Sequence, residues 1–256
     1  MSDRREDLFD DEGAGYLVSV SDIMAGLLFV FIITLVAFII QFNEAKQTQR
    51  EQIEELQNNQ DMRAELLKRI EQQLEEAGIQ ISVDPESGVL RLDKEVVPFA
   101  RGEEDPLPLG RRNLQLIAEV LARVIPCFTH RPPDRPSCKP EQKDELSAIF
   151  IEGHTDSQPY PTSRDYTNWN LSSERAIESY FILEDREPSL GKLVNSQGQP
   201  LFSVSGYAAR RPRTDIPGLA TTDPLQRRIE LRFIMTPPDT ENKIDAIREL
   251  ERQGVS

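Results

Sequence analysis

Residues 146–153, LSAIFIEG, and residues 170–185, NLSSERAIESYFILED, decide the fold class. The first is a short apolar run ending in glycine, the pattern of a buried strand. The second is a helical pattern opened by a capping-type polar residue. The same alternation extends outward from this pair. GVLRLDKEVVPF (88–99) reads as a strand and LPLGRRNLQLIAEVLARVI (107–125) as an amphipathic helix. LFSVSGYA (201–208) and RRIELRFIM (227–235) read as two further strands. The order βαβαββ predicts an α+β sandwich over residues 78–236, with helices laid on one sheet.

Upstream the pattern is different. Residues 23–40 carry no charge, and Thr34 is the only clearly polar residue among them. At about 1.5 Å per residue this run spans roughly 27 Å as a helix, close to the ~30 Å hydrocarbon core of a bilayer. A single transmembrane helix is therefore expected over residues 16–42. The preceding MSDRREDLFDDEGAG (1–15) is acidic and lacks an apolar period, so it reads as a short disordered tail. An acidic start, a long apolar run and no small-residue cleavage site argue against a signal peptide, and the span is expected to stay as an anchor. Arg4 and Arg5 precede it while Lys46 and Arg50 follow closely, so basic residues alone do not orient it.

Residues 43–77 contain neither proline nor glycine. Ile53, Leu56, Gln60, Arg63, Leu67, Ile70, Leu74 and Ala77 recur at alternating spacings of three and four, a heptad seam with polar interruptions. Two readings fit: a helical linker that leaves the membrane and pairs with a second copy, or a charged helix whose apolar residues pack on a neighbour. Residues 237–256 open with a proline break and predict a tail with a short amphipathic helix through Ile244, Ile247 and Leu250.

The formal net charge of −14 gives no basic face for nucleic acid. The chain has two cysteines, Cys127 and Cys138, and two histidines, His130 and His154. That supply argues against a structural zinc site, a metal or cofactor requirement, and histidine-based catalysis. No serine–histidine–acid arrangement is evident, so an enzyme is not expected. Trp169 reads as a packing residue. Cys127 and Cys138 flank FTHRPPDRPS (128–137). A disulfide closing that loop suits an oxidising compartment, and two buried free thiols are the alternative.

Asp22 is the most informative single residue. A carboxylate in a membrane helix costs roughly 2.5–3.5 kcal/mol at the helix centre and marks a functional site by default. Asp22 could instead cap the helix at the interface. Leu17, Val18 and Val20 extend apolar character one turn before it, and Ala25–Gly26 beside it allow close helix approach.

Around Asp22, SDIMAGLLFVF (21–31) resembles the transmembrane helix of MotB-type stator proteins. Independently, residues 88–234 resemble an OmpA-like peptidoglycan-binding domain through IEGHTDSQPY (151–160), NWNLSSERA (168–176), SVSGYAARRP (203–212) and QRRIELRF (226–233). The resemblance implies a ligand, the diaminopimelate of a peptidoglycan stem peptide, which presents an ammonium and a carboxylate on one carbon. It assigns Asp156 to the ammonium and Arg175, through its planar guanidinium, to the carboxylate. Thr155, Asn168 and Leu171 match further positions near the ligand, and His154 matches a structural one. Read without the resemblance, Asp156 could cap a loop and Arg175 could pair with a helix neighbour.

The resemblance further implies an inner-membrane protein with its N-terminus in the cytoplasm and its folded domain in the periplasm. Two copies would sit within a ring of five MotA-like subunits, and Asp22 would carry protons. Flagellar MotB usually has a basic tail. The acidic tail and long charged helix here lean instead towards the B subunits of Zorya anti-phage defence systems, whose ring would be formed by ZorA-type subunits. A flagellar-type stator and a passive wall tether without ion conduction remain as alternatives.

Overall fold

Capping residues and glycines set the element boundaries in a computed structural model that describes residues 7–129, 138, 146–159 and 167–237, with side chains from Val20 onward. In order these are α1 (Asp7–Glu76), β1 (Ser82–Asp84), β2 (Val89–Leu92), α2 (Pro108–Val124), β3 (Leu146–His154), α3 (Asn168–Arg186), β4 (Phe202–Gly206) and β5 (Arg228–Met235). The chain divides into two units, residues 1–54 and 55–256.

The first unit consists of α1 up to Glu54. Its 18-residue apolar stretch has no part buried within the chain. Ile23, Phe31 and Phe38 all expose more than 60% of their surface. Apolar side chains on every side of a helix suit lipid or partner helices rather than water. Residues 7–15, expected as disordered, are helical. They contain no proline, and Gly13 and Gly15 each cost only about 1 kcal/mol in a helix nucleated by the residues after them. Residues 1–6 lie outside the described residues.

In the second unit five strands form one sheet in the order β1-β2-β5-β3-β4. β3 and β4 are parallel and joined through α3, while β1–β2, β2–β5 and β3–β5 are antiparallel. The α+β expectation holds, with the three-residue β1 added ahead of the anticipated order. The strand expected over 88–99 ends at Leu92, because the backbone amides of Val96 and Val97 both turn back to the Asp93 carbonyl at 2.9 Å. Helix α3 is capped one turn earlier than Asn170. The Thr167 hydroxyl accepts from the Trp169 amide at 3.3 Å, and the Asn170 side chain accepts from the Thr167 amide at 3.0 Å. This reciprocal capping box satisfies donors that a helix start leaves open.

Alternation in β3 and β5 turns Ile149, Ile151, Ile229, Leu231 and Phe233 to one face, where they meet Leu114, Ile117 and Leu121 of α2 and Ala176 and Leu183 of α3. The end of α1 completes this core: Leu66, Leu67, Ile70 and Leu74 are wholly buried in it. The heptad seam is therefore not open to a second copy over its last turns. Of the two readings of residues 43–77, packing on a neighbour describes Leu67, Ile70 and Leu74, and that neighbour is the chain's own sheet domain. Ile53 and Leu56 stay about half exposed. The sheet domain accordingly begins near residue 55, not at 78.

Cys127 and Cys138 are disulfide-bonded, with Cα atoms 5.0 Å apart. The loop residues 130–137 between them, His130 included, and the helix anticipated within 237–256 fall outside the described residues, apart from Pro237.

The burial pattern predicts unequal effects along α1. Ile70→Ala should destabilise the sheet domain of the full chain in detergent by about 2–5 kcal/mol. Leu56→Ala should cost under about 1 kcal/mol. Urea unfolding followed by the fluorescence of Trp169 separates the two, and equal costs would contradict the packing described.

Candidate functional site

Two glycines govern how α3 meets the sheet. Gly153 on β3 and Gly206 on β4 are register partners. A Cβ on Gly153 would collide with the Ser172 carbonyl oxygen, and one on Gly206 would lie 2.6 Å from Ser172 Oγ. The first turns of α3 thus sit directly on paired backbone, and a hydroxyl fastens them: Ser172 Oγ accepts from the Ala208 amide at 2.9 Å. Ala208, at φ 49°, turns the chain leaving β4, and its carbonyl accepts from the Thr155 amide at 3.0 Å.

This contact brings the end of β3 and one face of α3 together around a small, shallow depression. Thr155, Asp156, Asn168, Leu171 and Arg175 all line it. Every side chain that sequence reasoning assigned to ligand binding therefore meets at one place. Asn168 closes one edge, with its amide nitrogen donating to the carbonyls of Asp156 at 3.2 Å and Gln158 at 2.9 Å. Asp156 Oδ1 accepts from the Gln158 amide at 3.0 Å, and Oδ2 lies 3.7 Å from Arg227 Nε. Thr155 is 4% exposed and its hydroxyl has no hydrogen-bond partner among the described residues, so it can serve a ligand atom.

Arg175 is only 1% exposed. Its Nε donates to the Glu103 carbonyl and its Nη2 to the Ala100 carbonyl, both at 2.9 Å, and its guanidinium lies over the Phe99 ring at 4.7 Å. One edge of the planar group therefore organises the segment between β2 and α2. Arg101, Gly102 and Arg227 also line the pocket and were not anticipated. Arg227 could have been suspected from its place in QRRIELRF. Arg101 sits in a loop with no periodic signal. Trp169, expected as a packing residue, is half exposed in the first turn of α3.

Behind the pocket, the other sheet face carries buried charge. Glu152 accepts from Arg232 Nε at 2.9 Å and Nη2 at 2.8 Å. Glu230 accepts from Arg228 at 2.7 Å and Arg91 at 3.0 Å. His154 stacks on Tyr207 and lies 3.3 Å from Glu230, so its structural role agrees with its position. Glu152, His154 and Glu230 place potential ligand atoms within 4.8 Å of one another, close enough to share one ion. Their carboxylates are already answered by guanidinium groups, which would compete with any cation for the same oxygens. Burial pushes the His154 imidazole down, outweighing the opposing pull of Glu230. Burial would raise the Glu230 carboxyl, but the hydrogen bond from His154 and the Arg228 charge hold it well below the usual range.

No family model matches the chain. The uncharacterized protein YtxE of Bacillus subtilis is 31% identical over 132 residues, which is 51% of this chain and 42% of that protein, so the match spans less than half the relative's length. Among solved structures, the periplasmic domain of Helicobacter pylori MotB is 18% identical, covering 64% of this chain and 85% of that one with a TM-score of 0.42. The cell wall anchor of the type VI secretion system from Pseudomonas aeruginosa is 19% identical over 66% of this chain and 97% of that one, with a TM-score of 0.44.

The ionic cluster predicts acid lability. A lowered His154 means that the unfolded chain takes up the proton first, so stability is full above about pH 6.5 and declines below it. A lowered Glu230 adds stability above its ordinary value of 4.5, which is lost on further acidification. Urea midpoints should therefore fall from pH 7 to 5, and His154→Gln should flatten that segment while leaving the steeper loss below about pH 4.5.

Proposed function

We propose that this chain is a peptidoglycan-anchored stator-type subunit of the bacterial inner membrane. The observation that carries the reading is the convergence of Thr155, Asp156, Asn168, Leu171 and Arg175 from two separated motifs on one pocket. An anion and a guanidinium facing one small depression suit a zwitterion, and the diaminopimelate centre of a stem peptide is the ligand the motifs imply. In this reading Asp156 takes the ammonium and Arg175 contributes positive charge to the carboxylate, while Thr155 and Asn168 shape the polar wall. The Cys127–Cys138 disulfide supports placing the sheet domain in the oxidising periplasm, with the N-terminus cytoplasmic and the membrane span within residues 16–42.

Asp22 lies in the apolar helix beside Ala25 and Gly26. We assign it the proton-carrying role, in a dimer enclosed by a ring of five MotA-like subunits. Moving one charge through 100 mV releases about 2.3 kcal/mol, enough to bias movement of such a ring. The acidic N-terminal residues favour a ZorA-type ring and a Zorya anti-phage defence role over a flagellar motor. A passive tether would use the same pocket and have no need of Asp22.

Asp156→Asn should reduce co-sedimentation of the purified chain with peptidoglycan sacculi by roughly tenfold, as loss of a charge-assisted contact implies. Unchanged sedimentation would remove the wall-binding reading. Asp22→Asn should leave assembly with the ring intact and abolish proton flux in reconstituted vesicles. Equal flux in both proteins would remove the proton role, and no flux in either would favour the tether.

A further inference from the structure

We propose that Arg101 is a second anion-binding arm of the pocket, so that the site selects stem peptides carrying a free carboxylate outside the zwitterionic centre. The inference rests on the wall-binding reading above and adds a specificity that Asp156 and Arg175 do not provide.

Arg101 is exposed at the pocket wall and makes no hydrogen bond or ion pair among the described residues. Among the described residues Asp156 is the only acidic side chain lining the pocket, and Arg227 already stands 3.7 Å from it. Among the described residues, no anion of the protein answers the Arg101 charge. Its acidic sequence neighbours do not supply one: Glu103 and Glu104 do not line the pocket, and Asp105 pairs with Arg111 at 3.2 Å.

The arm is also held in place. Ala100 and Glu103, which bracket Arg101, give their carbonyls to Nη2 and Nε of Arg175 at 2.9 Å. The Glu103 amide returns to the Ala100 carbonyl at 3.3 Å, and Gly102 takes the left-handed φ of 79° that this turn requires. Arg175 thus fixes the backbone of the loop whose Arg101 lines the same depression. A cation carried on a held backbone beside a zwitterion site lowers the free energy of a ligand that brings an additional anion, and amidation of that anion removes the gain.

The test is isothermal titration of the full chain in detergent with two probes. One is the alanyl-γ-glutamyl-diaminopimelate tripeptide with all carboxylates free. The other is the same tripeptide with every carboxylate outside the zwitterionic centre converted to its amide. The wild type should bind the free form roughly fivefold more tightly, the size of one partly exposed ion pair. Arg101→Gln should bind both forms equally, and Arg101→Lys should keep most of the preference. A preference undiminished in Arg101→Gln, or none in the wild type, overturns the proposal. Asp156→Asn tests the underlying reading separately, because it should weaken both probes alike. Binding that is lost in Asp156→Asn but indifferent to amidation would leave wall binding standing and remove the Arg101 arm alone, whereas failure of the wild type to bind either probe removes both.

Discussion

The contact between the start of α3 and the paired glycines of β3 and β4 is the constraint on which the pocket depends. Helix α3 reaches backbone-to-backbone distance only because Gly153 and Gly206 lie side by side without side chains. Any larger residue at Gly153 would lift the helix and carry Arg175 away from Asp156. Ser172 makes the approach favourable as well as allowed, since its hydroxyl satisfies the Ala208 amide at the turn after β4. The pocket is thus a product of helix-to-sheet distance, and its chemistry follows from what lies at each side of that contact.

A second level of order lies on the opposite sheet face. Burying carboxylates and guanidinium groups together is costly unless every oxygen and nitrogen is answered. Here the answers come from three strands and from the segment after β4. Arg228 bonds Glu230 and the Arg211 carbonyl, while Arg213 joins Asp93 and Asp215. These bonds tie the segment that leads to Arg227 to the end of β2 and the start of β5. The pocket wall and the ionic face are therefore neighbours along the same strands, with His154 on one side of the sheet followed directly by Thr155 and Asp156.

Much of this was legible in the sequence because it is periodic or motif-bound. The alternation RRIELRFIM separates Ile229, Leu231 and Phe233 from Arg228, Glu230 and Arg232, and the structure places the two sets on opposite faces. The residues proposed to bind the ligand stood in GHTD and NWNLSSERA, and the structure gathers them around one depression. The end of α1 was harder. A seam that pairs with a second helix and a stripe that packs on a sheet share spacings of three and four, so Leu67, Ile70 and Leu74 could not reveal their partner. The place of Arg101 was illegible for another reason: the carbonyls of its neighbours Ala100 and Glu103 are held by a residue more than seventy positions away.

The merging of α1 with the sheet domain has a practical consequence for anyone handling the protein in pieces. A fragment begun at the glycine after α1 would look like a tidy excision, yet it would discard Leu66, Leu67, Ile70 and Leu74 from the interior. Each such side chain contributes about 1.5–3 kcal/mol through burial, and their combined loss rivals the roughly 5–15 kcal/mol that keeps an ordinary domain folded. Soluble versions need to begin some twenty residues earlier, inside what looks on paper like a mere spacer.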